Sequence, residues 1–190
     1  MTPADALALV VAPTCRWLAA RTGKPLDTPE AWAMLLAIAG QETGFQHRRQ
    51  VSAKKPALGW PQFELGTYEP RAGLMGLMAH EGVGRTACEM AECLMPGLKL
   101  IEVTRVKWAM GVAKVYAAIE HNDVLAFGMA RLLLWTVSAP LPLRDQPAEG
   151  WRQYAQEAWR PGRPHPETWR RHWDAAWAAV DEAQRTGGEG

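Results

Sequence analysis

Glu42 ends an apolar helical row, and that position suits a carboxyl group to donating and accepting protons. In DTPEAWAMLLAIAGQETGF, Trp32, Leu35, Leu36 and Ala39 recur at i, i+3, i+4 and i+7, and Glu42 lies three residues beyond Ala39 and four beyond Ile38. Burial disfavours an ionised carboxylate and raises its pKa, which is what a general acid requires. The plainer alternative is a last-turn residue turned to solvent or paired with Arg48 or Arg49. The helix that carries Glu42 is predicted from Pro29 to Thr43. Asp27 or Thr28 can cap its start, Pro29 suits its first turn, and Gly44 suits a left-handed stop.

The elements around it read as helices. Residues 4–21 are helical, broken or kinked near Pro13, and the stretch 45–70, rich in Pro and Gly, is a long loop fit for a cleft wall. A short helix from Arg71 to His80 buries Leu74, Leu77 and Met78, and Thr86 can cap the next one, which runs to Met95. A long helix follows within Leu98–Glu120, beginning irregularly before Thr104. His121-Asn122-Asp123 then caps a helix to Trp135 that is apolar on all sides except at Arg131, which either is paired or faces the cleft. A proline-rich connection leads to the helical WRQYAQEAW, and a terminal helix spans Pro166 to Arg185 before a frayed end at 186–190. Trp169, Trp173 and Trp177 share one face of that helix. They either pack it onto the body or, with Trp151 and Trp159, offer a platform for sugar rings.

The stretch LLAIAGQETGF resembles the first motif of the lytic transglycosylase and goose-type lysozyme superfamily, in which a helix ends in a catalytic glutamate followed by Ser or Thr, a variable residue and Phe. Downstream, ALGWPQFELGT is similar to the second motif: Ala57, Gly59, Gln62, Phe63 and Thr67 match in register, while Pro56, Trp60, Pro61 and Leu65 depart from it. The resemblance covers about a quarter of the chain and implies a muramidase or lytic transglycosylase, with Glu42 as acid and base on the MurNAc-GlcNAc bond; the segment WRPGRPHPETW resembles C-terminal stretches of phage-encoded lysozyme-like proteins, which implies a phage origin. It makes Gln62 a substrate-positioning residue and Phe63 a support for its loop, with Thr43, Trp60 and Tyr68 completing the substrate-binding set. The family's tyrosine-bearing third motif has no counterpart. Its hydroxyl must come from elsewhere, Tyr68 or Tyr116, and Glu64, Glu69 or Glu81 are candidates for a second carboxylate. The implied partner is a peptidoglycan glycan strand, with other phage proteins in the delivery route.

Composition reads as one ordinary globular domain and the helical patterns make it all-α with at most a minor β element, while the resemblance implies a single lysozyme-like domain over residues 1–190. At 190 residues, 48% hydrophobic and 22% charged, the chain can bury a full core. A net charge of +1 gives no global argument for nucleic acid, and Lys54-Lys55 with Arg48 and Arg49 is only a local basic patch. Cys15, Cys88 and Cys93 read as reduced thiols, no ligand spacing proposes a metal, and no cofactor is expected. No stretch has the length of a membrane span, and MTPADALALVVAPTCRW reads as a helix instead of a signal peptide. Synthesis in the cytoplasm, with delivery to the cell wall by phage lysis or virion machinery, follows from that reading. Two alternatives stand beside it: a lysozyme-like fold without catalysis that serves as a structural or virion module, and a helical adaptor that binds nucleic acid through the Lys54-Lys55 region.

Overall fold

The computed structural model describes residues 1–50, 56–69 and 72–187; Lys54-Lys55 and Arg71 lie outside them, as do residues 188–190 of the end expected to fray at 186–190, whose first two residues instead extend the last helix. The fold is all-α. In chain order the elements are α1 (Pro3–Ala6), a π-helical turn (Leu7–Val11), α2 (Ala12–Thr22), α3 (Pro29–Thr43), α4 (Gly73–Met78), α5 (Gly84–Leu94), α6 (Arg105–Ile119), α7 (Asp123–Trp135), α8 (Pro147–Arg152), a second π turn (Gln153–Ala158) and α9 (Pro166–Gly187). Among the described residues β structure is limited to isolated bridges, and no helix is long and apolar enough to cross a membrane. The chain gathers into two compact units: Met1–Gln46 with the segment from Val137 onward, and His47–Thr136.

In the first unit α3 is the central element. The Thr28 hydroxyl accepts from the Ala31 amide at 3.2 Å and Gly44 ends the helix at φ 56°, so both boundaries fall where the local signals place them. Its burial is wider than one stripe. Every residue from Ala33 to Gly40 is buried, which makes α3 a core helix packed mainly on α9 and also on α1, α2 and the first π turn. Each fully buried Leu, Ile or Met there contributes about 1.5–3 kcal/mol relative to exposure.

The expected kink near Pro13 takes the form of the first π turn. Pro13 has no amide hydrogen and its ring crowds the carbonyl four residues back. The chain widens ahead of it, the Ala12 amide donating to the Leu7 oxygen five residues away, and helical residues run without a break from Pro3 to Thr22.

In the second unit α4, α5, α6 and α7 pack on one another. Leu125 to Leu134 of α7 are all buried, Arg131 among them at 4% exposure. The Thr86 cap is corrected: α5 begins two residues earlier, at Gly84, and Thr86 lies inside it. Gly84 makes that start possible, because a Cβ there would stand 2.4 Å from the Met78 oxygen.

Candidate active site

The C-terminal turn of α3 is held at several points. The Gly44 amide donates to the Gly40 oxygen at 2.8 Å, the buried Thr43 hydroxyl donates to the Ala39 oxygen at 2.8 Å, and the Phe45 amide donates to the Thr43 hydroxyl at 3.2 Å. Phe45 itself is left-handed at φ 57° and 8% exposed. Two successive left-handed residues, one of them non-glycine, stop the helix sharply and anchor Phe45 inward. Gln41 ties the same turn to the start of α9, its amide donating to the His165 oxygen at 2.9 Å and accepting from the Thr168 hydroxyl at 3.1 Å. Glu42, half-buried between these fixed neighbours, has little freedom of backbone position.

Its carboxylate meets a tyrosine that the sequence reading did not select. The Tyr154 hydroxyl donates to Glu42 Oε1 at 2.7 Å across 112 residues of chain. The Tyr154 ring is 2% exposed and lies parallel on Trp169, with centroids 5.3 Å apart at 3°, while Trp151 meets it at 5.4 Å and Trp159 at 6.3 Å. Trp169 is pinned in turn by its indole N–H, which donates to the Pro147 oxygen at 2.7 Å. Burial first, then the charge of Glu42 and the hydrogen bond to it, pushes the Tyr154 phenol far above its ordinary range. It therefore stays a neutral donor at every working pH.

Tyr154 sits in the second π turn, where the Trp159 amide reaches back to the Tyr154 oxygen at 2.9 Å. Such turns recur at functional sites because the extra residue re-aims the side chains around it. The signal in the sequence was the aromatic run Trp151, Tyr154, Trp159: a buried tyrosine needs a partner for its hydroxyl. Trp169, Trp173 and Trp177 are 3%, 1% and 7% exposed, so they are the packing face of α9 and not a sugar platform.

The remaining candidates belong to the second unit. Leu58 and Phe63 exchange backbone hydrogen bonds at 2.8 Å each and enclose the turn Gly59-Trp60-Pro61-Gln62. Gln62 is left-handed at φ 53° and 8% exposed, and its side-chain amide donates to the Gly59 oxygen at 2.8 Å, closing its own turn. Phe63 is 2% exposed, and Trp60, at 4%, lies under the Arg48 guanidinium, 4.3 Å from the ring centroid. Gly59 is the residue this turn requires: at φ 74° a Cβ would stand 2.7 Å from Ile119 Cγ2.

Tyr68 is exposed, stacked on Trp108 at 5.6 Å with Arg105 4.5 Å from its ring centroid, and the Tyr116 hydroxyl donates to the Pro56 oxygen. Glu64, Glu69 and Glu81 are exposed. Arg48 forms a two-point ion pair with Asp123 at 2.9 and 2.7 Å, and Arg49 pairs with Glu120. Both guanidinium groups named as alternative partners of Glu42 thus hold other carboxylates. Cys15, Cys88 and Cys93 are not joined in disulfides, and among the described residues no group of three or more His, Cys, Asp or Glu side chains gathers into a metal site.

The first unit therefore offers a carboxylate on a fixed helix end, oriented by a neutral phenol in an aromatic enclosure. In its carboxylic acid form such a group can hand a proton to a leaving oxygen, and as the carboxylate it can take one back. No family model, curated protein or solved structure matches the chain.

Proposed function

We propose that the protein is a peptidoglycan-cleaving glycosidase, a muramidase or lytic transglycosylase of the lysozyme-like kind, with Glu42 as its acid and base. The hydrogen bond from Tyr154 to Glu42 is the observation that carries this reading. A buried tyrosine with no acidic function of its own fixes one carboxylate oxygen, as a group that must meet a substrate oxygen in one orientation requires.

Glu42 protonates the glycosidic oxygen as the MurNAc-GlcNAc bond breaks through an oxocarbenium-like state. The resulting carboxylate then takes a proton from the attacking nucleophile. Where that nucleophile is water, the product has a reducing end. Where it is the muramyl 6-hydroxyl, a 1,6-anhydro ring closes and no second carboxylate is needed. Tyr154 holds the carboxylate through both steps and remains protonated. Gln62, whose amide closes its own turn, keeps the shape of the 56–69 segment in this account.

Purified peptidoglycan incubated with the protein is expected to yield soluble muropeptides, and their masses separate the two outcomes, since anhydro products are lighter by one water. Folded protein that releases nothing from several wall types would overturn the proposal in favour of a non-catalytic structural module.

A further inference from the structure

We infer that the helical run Pro3–Thr22 and the groove beside it form a self-pairing surface, on which a second copy of this chain docks with its own run antiparallel. The groove lies within the first unit and has a volume of about 990 Å³. Asp5, Leu9, Ala12 and Arg16 line it from the helical run. Trp32 of α3 and Ala179, Glu182 and Ala183 of α9 line it as well. A single exposed leucine is ordinary on a protein surface. Leu9 differs in its setting, because it is 73% exposed and borders a groove whose lining is largely apolar.

The charges on this face choose the occupant. Asp5 stands in the first turn, where the Thr2 amide and hydroxyl donate to its Oδ2 at 3.1 and 2.7 Å and hold it in place. α9 packs on α1 and brings a second acid, Glu182, to the same groove. Arg16 lies three turns further along the run; it reaches Asp27 only at 3.9 Å, and 72% of its side chain is exposed. The face is therefore acidic at one end, apolar in the middle and basic at the other. A two-fold axis passing between Val10 and Val11 turns that pattern onto itself: Asp5 meets Arg16 of the second copy, and Leu9 meets its Ala12. A large side chain then faces a small one and an acid faces a base, each twice over, which is the self-complementarity that an isologous dimer requires. A parallel approach would set like charge on like.

Sedimentation of the full chain from about 1 μM to about 1 mM tests this without substrate, so the result stands apart from the proposed function. The wild type is expected to equilibrate between monomer and dimer, and Leu9→Ser to raise the dissociation constant at least about tenfold. Arg16→Glu and Asp5→Lys should each weaken pairing alone, because each sets like charges together, whereas an equal mixture of the two variants should restore it as a heterodimer. Glu182→Lys takes the place of Asp5→Lys if loss of the Thr2 cap unfolds that variant. Val106→Glu, at a comparably exposed position of α6 (71%), should leave the dimer unchanged. A chain that is monomeric throughout overturns the inference, as does a dimer that survives Leu9→Ser or a mixture that pairs no better than its parts. Dimerisation lost in Val106→Glu alone would move the interface to α6, and a monomer whose Leu9 drives binding to phosphatidylglycerol vesicles would give the groove to lipid; either result overturns the self-pairing.

Discussion

At the scale of single residues, the proposed reaction gives orientation to Tyr154 and proton transfer to Glu42, the two being joined by one hydrogen bond. Tyr154→Phe keeps the ring that stacks on Trp169 and removes only the hydroxyl. A hydrogen bond to a charged group is worth about 1.5–3 kcal/mol, so the substitution is expected to lower kcat at least about tenfold, with KM nearly unchanged. Steady-state kinetics on soluble muropeptide oligomers checks this, and a loss confined to KM would assign Tyr154 to binding instead. The phenol also has a signature of its own. Because burial and Glu42 push it far above its ordinary range, its carbon NMR resonance should show no phenolate up to about pH 11, past the ordinary tyrosine pKa near 10. The helix end that carries Glu42 was legible in the sequence because helix caps and periodicity are local. Tyr154 was not, because its partner lies 112 residues away and no local pattern records such a contact.

At the scale of elements, α3 against α9 is the contact on which the site depends. Gly40 allows it: a Cβ there would stand 2.8 Å from His172 Nδ1, 3.2 Å from its Cγ and 3.3 Å from its Cβ, and the last cannot rotate away. In an isolated helix Gly→Ala gains about 1 kcal/mol. Overpacking against α9 costs about 1–3 kcal/mol, and the crowding of the whole imidazole base places Gly40→Ala towards the upper end. The substitution should therefore lower the midpoint of denaturant unfolding, and His172→Ala in the same chain should restore it; an unchanged midpoint in Gly40→Ala would show that the helices can separate at no cost. The caps of α3 and the span of α7 were readable because Thr28, Gly44 and Asn122 act within a turn. The π registers were not. Pro13 announced a disturbance, but which carbonyl the neighbouring amide would choose depends on packing against other helices.

At the scale of the whole molecule, the first unit is discontinuous, and its later segment returns to cover α3. A chain cut after residue 165 lacks α9 and with it the main partner of α3, so it should lose the cooperative thermal transition of that unit. The stability of the full chain should also depend on pH through His172. Burial, and then the charge of Arg171, lowers the His172 pKa in the fold. The folded form then binds fewer protons than the unfolded one, so stability is full above the unfolded value near 6.5 and is lost as pH falls towards the folded value. Tm measured from pH 7.5 to 5 should fall less in His172→Gln than in the wild type, and identical slopes would remove His172 from the account. Composition and pattern conveyed the all-α class. The division into two compact units was not read from the sequence: the Pro- and Gly-rich stretch 45–70 and the proline-rich connection after Trp135 adjoin residues 47 and 137, but connections between helices of one domain carry the same signal.

The most direct measurement is the rate of muropeptide release from purified peptidoglycan by the wild type and by Glu42→Gln, which keeps a hydrogen-bonding side chain of the same size but cannot exchange a proton. The account predicts release by the wild type and a loss of at least about a hundredfold in the substituted protein. Equal rates in the two would contradict it, and would place the chemistry on a residue other than Glu42.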